Sequence, residues 1–352
     1  MKISILIPMH NEAQKIRKTL QCLLSQDYPT EDVQYVIIDD NSTDNSVDIV
    51  KLLGINPILS NKQSWASNAR NLGLLHCTGD VVLFLDAHLY LEDRNSFKII
   101  RKTFQNNPTI GGICGKYTSA TNTDWNLVRD IRRDAIFEKT SMRLISLRKF
   151  TTLSMAISAI RRELLDQVHF PDGFYDSFGE DTTFQLQAHH KKWDFLFTPE
   201  LFGIHDSPQT ASTILKKIVY ELRGTANVLL YCKREKMEIP YLHFFLSYPL
   251  GRVLSIIIMI IDFKIGLGLF ILCQALEITK IRKIFDTKYP LLMRIRAAWY
   301  SWLKELIGGI YVPWYIIKRS YNDPVLICSI SQGLLKWEKE KMFSYLYNFS
   351  KK

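Results

Sequence analysis

Apolar runs and amphipathic stretches alternate through the first part of the chain. Ile3 to Met9 is a run of strand type broken at Pro8, and Ala13 to Leu24 follows with helical spacing. Val33 to Asp40 is a second strand ending in paired carboxylates, and Asn41-Ser42-Thr43-Asp44 opens a helix over Ser46 to Leu53. Pro57 to Leu59 predicts a short strand, Ser64 to His76 a helix carrying Arg70, and Val81 to His88 a buried strand that stops on polar residues. A helix near Asp93 to Gln105 and a strand at Ile110 to Lys116 continue the series. Order returns with an extended run at Thr152 to Ile160, a helix from Arg162, a helix over Thr182 to His190, and strands at Phe195 to Thr198 and Leu201 to Ile204. Strands alternating with helices of this length predict an α/β fold on a parallel, doubly wound sheet, with polar residues gathered at one edge.

The chain has 352 residues and 47% hydrophobic composition, enough for one sizeable core with an appendage. Its formal charge of +10 is unevenly placed. Met1 to Thr210 carries 23 Lys+Arg and 25 Asp+Glu, a net of −2, so Ala211 to Lys352 carries the remaining 22 and 10, a net of +12. The basic part also holds the longest apolar runs, which fits an anionic membrane surface and argues against nucleic acid as the partner. The six cysteines, Cys22, Cys77, Cys114, Cys232, Cys273 and Cys328, are widely spaced and read as small buried apolar residues in a reducing compartment. Met1 to Met9 is too short an apolar run for a signal peptide and suits a first strand.

Two places carry candidate chemistry. After Val81 to Leu85 come Asp86-Ala87-His88. In an extended chain alternate residues share a side, so Asp86 and His88 would face one ion with Ala87 turned away. Ligand sites of open α/β sheets lie at the carboxyl ends of strands, and a hard oxygen with a borderline nitrogen suits Mn²⁺ or a similar divalent ion. The other reading is a strand that ends in a polar turn, and the tripeptide alone leaves both open. Gly179-Glu180-Asp181 stands at a helix start, where carboxylates are favoured by the helix dipole. An ordinary acidic helix start is the alternative. No GxGxxG follows the first strand, which argues against a dinucleotide-dependent oxidoreductase.

Taken together, IPMHNE from Ile7, IIDDNSTDNS from Ile37, NARNLGLLHCTGD from Asn68, the DAH triplet, FGEDTTFQLQAH from Phe178 and GIHD from Gly203 resemble the glycosyltransferases of family 2. The resemblance covers Met1 to about Pro208. It implies a GT-A fold, a Rossmann-like, mostly parallel sheet flanked by helices, moving a sugar from a nucleotide-activated donor with inversion. It further implies that Pro8, Asn11 and Glu12 line the nucleotide pocket, that Asp40 recognises the base, and that Arg70 helps hold the donor. Asp86 would contact ribose and metal, and Asp181, with Glu180 beside it, would be the general base. His88 departs from the family, most of whose members carry Asp there; Asp-x-His resembles the metal motif of the polypeptide N-acetylgalactosaminyltransferases. His205 matches a histidine that reaches the metal in several enzymes of the fold. Asp86, His88 and His205 would then hold Mn²⁺ or Mg²⁺. The alternative is an inactive, donor-binding relative serving as a membrane scaffold. Tyr117 to Phe150, less regular and rich in Arg, is either an acceptor-facing insertion or a solvated helical excursion.

The expected division is a catalytic domain over 1–210 and a basic, apolar helical region over 211–352. Tyr241 to Leu276 carries only Arg252, Asp262 and Lys264 as charges, and Leu306 to Ile317 is a second uncharged run. Tyr241 to Ile261 is long enough to span a bilayer if Arg252 snorkels or is buried, with Asp262-Phe263-Lys264 as the bend of a hairpin; the alternatives are interfacial helices and a buried helical subdomain. Lys280, Arg282, Lys283, Lys288, Arg294 and Arg296 would face a cytoplasmic leaflet. The expected enzyme is membrane-associated, open to the cytoplasm, and transfers one sugar per encounter from a nucleotide-sugar, uridine-based, to a lipid-linked or glycan acceptor. The Gln-x-x-Arg-Trp signature of processive members is absent.

Overall fold

The computed structural model describes residues 1–121, 123–137, 143–145, 154–171, 179–207, 211–237, 267, 284–285 and 289–320. Strands β1 (Ile3–Met9), β2 (Val33–Asp39), β3 (Ile58–Leu59), β4 (Val81–Leu85), β5 (Leu89–Tyr90), β6 (Ile110–Ser119), β7 (Arg143–Ile145), β8 (Ile157–Arg161) and β9 (Asp194–His205) form one sheet. Its order is β3-β2-β1-β4-β8-β6-β9-β5, with β7 also pairing β9.

Alternation explains why β1 and β4 lie at the centre. Ile3, Ile5, Ile7, Leu83 and Leu85 point to one face and pack on Ile16 and Leu20 of α1 (Ile16–Leu24) and on Phe97, Ile100 and Phe104 of α4 (Ser96–Asn106). Leu6, Val82 and Phe84 point to the other. There they meet Ala69 of α3 (Trp65–Leu74), Leu164 of α6 (Arg162–Leu165) and Phe184 of α7 (Glu180–His190). The remaining short helix of this half, α2 (Ser46–Leu52), follows β2. A strand covered on both faces has to be apolar at every position, which is why VVLFL reads as a continuous run.

The sheet is mostly parallel, as expected, with three strands set against the common direction. β1, β2, β3, β4, β6 and β9 run one way, but β8 is inserted antiparallel between β4 and β6, and β5 and β7 run against β9. Apolar alternation fixes which face a residue takes and carries no direction, so Met155 to Ile160 reads the same either way. The two strands expected at Phe195 to Thr198 and Leu201 to Ile204 are one strand. The register on β6 jumps from Gly115↔Thr198 to Lys116↔Phe202, a bulge that takes up Pro199, Glu200 and Leu201.

The segment read as an insertion or solvated excursion contains helix α5 (Asp124–Phe137), and it packs instead against α8 (Ala211–Arg234) and α9 (Leu291–Ser320). Val128 and Ile131 join Ile218, Leu222, Ala226, Met293, Ala297 and Tyr300 in a separate core. Asp130 ties this layer to the sheet by accepting hydrogen bonds from Ser119 N and Oγ at 3.1 and 2.7 Å. No helix among the described residues is long and apolar enough to cross a membrane. The hairpin reading of Tyr241 to Lys264 and most of the basic apron lie outside the described residues.

Candidate active site

The loops after β1 and β2 lock into each other at the carboxyl edge of the sheet. Asn11 and Asn41 both take left-handed backbone conformations, φ 55° and 64°, which asparagine tolerates better than most residues. Asn11 N–H donates to Ser42 Oγ at 2.9 Å, and Asn11 Oδ1 accepts the N–H of Thr43 at 2.8 Å. Pro8 sits where β1 has run past its pairing with β4, opposite Ile38. The buried Asp40 carboxylate accepts from Ser64 N and Oγ, both at 2.7 Å, and from Trp65 N at 2.8 Å. Asp40 thus caps α3 from a distance, and any contact to a base would be added to these bonds.

The DAH triplet is built differently from the strand-alternation expectation. β4 stops at Leu85, and a turn closed by Leu89 N–H to Asp86 O at 3.0 Å carries Asp86, Ala87 and His88. Every side of the turn is pinned. Asp86 N–H donates to Ala156 O at 3.1 Å, Ala87 O accepts the buried Thr19 hydroxyl at 2.7 Å, and His88 O accepts Asp206 N–H at 2.9 Å. The antiparallel pair β5 and β9 then sets Leu89 opposite His205. Leu89 packs closely over Gly203, where a Cβ would stand 2.4 Å from Leu89 Cδ2 and push that side chain aside.

One ligand atom from each of Asp86, His88 and His205 lies within 4.8 Å of the other two. His205 Nε2 is 3.3 Å from Asp86 Oδ2. Neighbouring ligands of an octahedral ion with bonds of about 2.1 Å stand about 3.0 Å apart; the Asp86–His205 pair is near that spacing, and a divalent cation would draw the triad together. His88 Nδ1 is 2.8 Å from Glu12 Oε1, which leaves Nε2 as its free ligand nitrogen. The His88 and His205 rings meet edge-on at 4.7 Å, and the Tyr117 ring lies over His205 at 5.2 Å. One carboxylate and two imidazoles suit Mn²⁺.

Beside this triad, Arg70 reaches from α3 into three carboxylates. Its guanidinium lies 4.0 Å from Asp86 Oδ1, 3.1 Å from Glu180 Oε1 and 3.3 Å from Asp181 Oδ1. Asp181 Oδ2 accepts the Met155 N–H at 2.9 Å. Gly179, at φ 117°, turns the chain into α7 so that both acids enter on its first turn. One guanidinium against three carboxylates leaves an excess of negative charge that a divalent cation would balance. The buried atoms Arg70 Nε, Glu180 Oε2 and His205 Nδ1 have no hydrogen-bond partner among the described residues. Orphans gathered at one spot are what a missing ligand leaves behind.

Burial and the Glu180 carboxylate push Asp181 up to about 7, against the pull of Arg70 and the Met155 N–H. Burial also opposes the charge of Asp86, but the His205 hydrogen bond and the charges of His88, His205 and Arg70 outweigh it and hold that carboxyl below the usual range. Burial would lower Arg70, yet Asp181, Glu180 and Asp86 raise it. His205 is pushed down by burial, whereas Glu12 and Asp86 hold His88 up against it. Neighbouring carboxylates are thereby driven apart, one kept ionised and one poised near neutrality.

The structure brings Glu12, Arg70, Asp86, His88, Glu180, Asp181 and His205 into one constellation, while Pro8, Asn11 and Asp40 shape the adjoining loops. Sequence reasoning missed Thr19, Tyr117 and Asp206. Asp206 had a signal, being next to His205, and Tyr90 OH donates to its carboxylate at 2.8 Å. Thr19 had none, because its hydroxyl interrupts the buried stripe of an amphipathic helix without altering the pattern. His189 and His190, at the end of α7, are exposed.

Residues 4–168 match the family model described as glycosyl transferase family 2. The chain is 24% identical over 282 residues to the probable glycosyltransferase YdaM of Bacillus subtilis (strain 168), covering 74% of this chain and 66%, just under two thirds, of that protein. It is 22% identical over 300 residues to the dolichyl N-acetyl-alpha-D-glucosaminyl phosphate 3-beta-D-2,3-diacetamido-2,3-dideoxy-beta-D-glucuronosyltransferase of Methanococcus voltae, covering 82% of this chain and 89% of that one. Among solved structures, the mannosyltransferase PcManGT from Pyrobaculum calidifontis, in complex with GDP-Man and Mn2+, superposes with a TM-score of 0.56 at 16% identity, covering 92% of this chain and 88% of that chain. This last likeness bears on the fold, which is of the GT-A type. The chain is thus similar to glycosyl transferase family 2 over residues 4–168, a segment that carries Glu12, Arg70, Asp86 and His88, whereas Glu180, Asp181 and His205 lie beyond it.

Proposed function

We propose that this protein is a metal-dependent, inverting glycosyltransferase that moves one sugar per encounter from a nucleotide-diphospho-sugar, uridine-based, to a hydroxyl or phosphate of a lipid-linked or surface-glycan acceptor. The observation that carries this reading is the placing of the Asp86, His88 and His205 triad beside the Arg70, Glu180 and Asp181 cluster, with one guanidinium touching both. A divalent cation held by Asp86, His88 and His205 would supply positive charge to the departing diphosphate.

The chain's own residues do the rest. Asp181 takes the proton of the acceptor hydroxyl as the acceptor oxygen bonds to the anomeric carbon and the bond to the diphosphate oxygen breaks. A carboxyl poised near 7 is matched to that task at neutral pH. Arg70 keeps Asp181 and Asp86 in fixed relation and adds a positive charge on the donor side. The Glu180 oxygen left without a partner is free for a hydroxyl of the donor sugar. The Methanococcus voltae relative is named for a dolichyl-linked substrate, which supports a lipid-linked acceptor. The net charge of +12 over Ala211 to Lys352 supports attachment to an anionic bilayer, with the site facing the cytoplasm.

The test is to incubate the full chain with Mn²⁺, a panel of uridine and guanosine diphospho-sugars, and a short-chain polyprenyl phosphate or a sugar acceptor. The products are read by mass spectrometry and the new anomeric bond by NMR. A product of inverted configuration that disappears in Asp86→Ala is the expected result. Binding of nucleotide without turnover of any donor would favour a donor-binding scaffold.

A further inference from the structure

We infer that Glu12 is the positioning residue of the ion site: its carboxylate fixes the His88 ring through Nδ1 and so presents Nε2 as the ligand nitrogen, instead of lining the nucleotide pocket. This inference rests on the reading of Asp86, His88 and His205 as ion ligands. Glu12 Oε1 lies 2.8 Å from His88 Nδ1, and both side chains are largely shielded, at 18% and 23% exposure. A histidine ligand is oriented by the hydrogen bond its other nitrogen makes, and losing that bond typically weakens metal affinity about 10–100-fold. His205 has no such support, since its Nδ1 is without a partner among the described residues. The precision of the triad therefore falls on the Glu12 to His88 contact.

Glu12 is itself held for this purpose. Its N–H donates to Ser46 Oγ at 2.7 Å, and its carbonyl accepts the N–H of Lys15 and of Ile16 at 2.9 Å each. Ser46 Oγ in turn donates to Asp44 Oδ1 at 2.5 Å, and Asp44 Oδ2 accepts the Ala13 N–H at 3.0 Å. The loop after β2 thus clamps the backbone on both sides of Glu12. The two segments read from sequence as nucleotide-binding motifs together form the scaffold that aims His88.

The experiment measures Mn²⁺ affinity of the full chain by electron paramagnetic resonance of the free ion, without nucleotide. UDP affinity is measured separately in EDTA. Wild type, Glu12→Ala, Glu12→Gln and His88→Ala are compared. Glu12→Ala is expected to bind Mn²⁺ about 10–100-fold more weakly than wild type. Glu12→Gln, which keeps an acceptor oxygen, should recover part of that loss, and UDP affinity in EDTA should be the same in all four. If Glu12→Ala does not fold, the intermediate affinity of Glu12→Gln carries the test. Wild-type Mn²⁺ affinity in both Glu12 variants, with loss in His88→Ala, would overturn the role of Glu12 and leave the ion site standing. Equal Mn²⁺ binding in wild type and His88→Ala would overturn the ion site and this inference with it. Loss of UDP affinity in EDTA on changing Glu12 would return that residue to the nucleotide pocket.

Discussion

The carboxyl edge of the sheet and the helical layer of α5, α8 and α9 are built on opposite terms. At the sheet edge charge is concentrated inward: Arg70, Asp181 and Asp40 are each less than a tenth exposed, and the three carbonyls of the DAH turn and the Asp86 N–H are hydrogen-bonded. In the helical layer apolar surface is turned outward, with Leu291, Leu292, Ile295, Trp299 and Trp314 of α9 exposed by 48 to 57%. Buried charge held by rigid loops suits chemistry, and exposed apolar side chains on a basic segment suit contact with an apolar surface. The lesson is that the two regions should fail separately.

The largest expected effect is at the ion site. Asp86→Ala removes a ligand and a partner of Arg70 together, and turnover should fall at least about 10³-fold, since several kcal/mol of charge stabilisation are lost at about 1.4 kcal/mol per tenfold. Partition to vesicles should not change. Asp181→Asn should lower the rate by about 10²-fold or more while sparing nucleotide affinity in calorimetry. The same carboxyl gives a signed pH effect. The folded state holds its proton up to about 7 while the ordinary value is 3.8. Its contribution to stability is complete below the lower value and lost as pH rises through the higher one. Wild-type melting temperature should therefore fall between these pH values by more than that of Asp181→Asn, and wild-type activity should rise through the same region as the base ionises.

The helical layer is probed by Ile295→Glu with Trp299→Glu. Each side chain withdrawn from an apolar surface forfeits about 1.5–3 kcal/mol, so binding to vesicles containing phosphatidylserine should drop at least about tenfold with nucleotide affinity unchanged. Unaltered partition would show that this face packs elsewhere. The smallest effect is expected for Thr19→Val, which leaves Ala87 O without its donor and should cost about 1–3 kcal/mol of stability in denaturant titration.

Much of this arrangement is legible in the sequence because it depends on local chemistry. The short, β-branched apolar runs at Ile3 to Met9 and Val81 to Leu85 read as buried strands, and the polar residues that stop them lie at the site. Asp86, His88, Arg70, Glu180, Asp181 and His205 lie together at the carboxyl edge of the sheet. What escaped the sequence depends on long-range pairing. The antiparallel insertion of β8 leaves no trace in alternation, and β5 meets β9 where Leu89 packs over Gly203, 114 positions further along the chain. The fate of α5 escaped for the same reason, since its partners α8 and α9 lie far along the chain.

The central claim is tested most directly by calorimetric titration of the full chain with UDP and GDP, with and without Mn²⁺, on wild type and His88→Ala. One nucleotide should bind tightly only when Mn²⁺ is present, and that dependence should vanish in the variant. Binding that ignores both Mn²⁺ and His88 would contradict the account and move the chain towards a metal-independent transferase or a donor-binding scaffold.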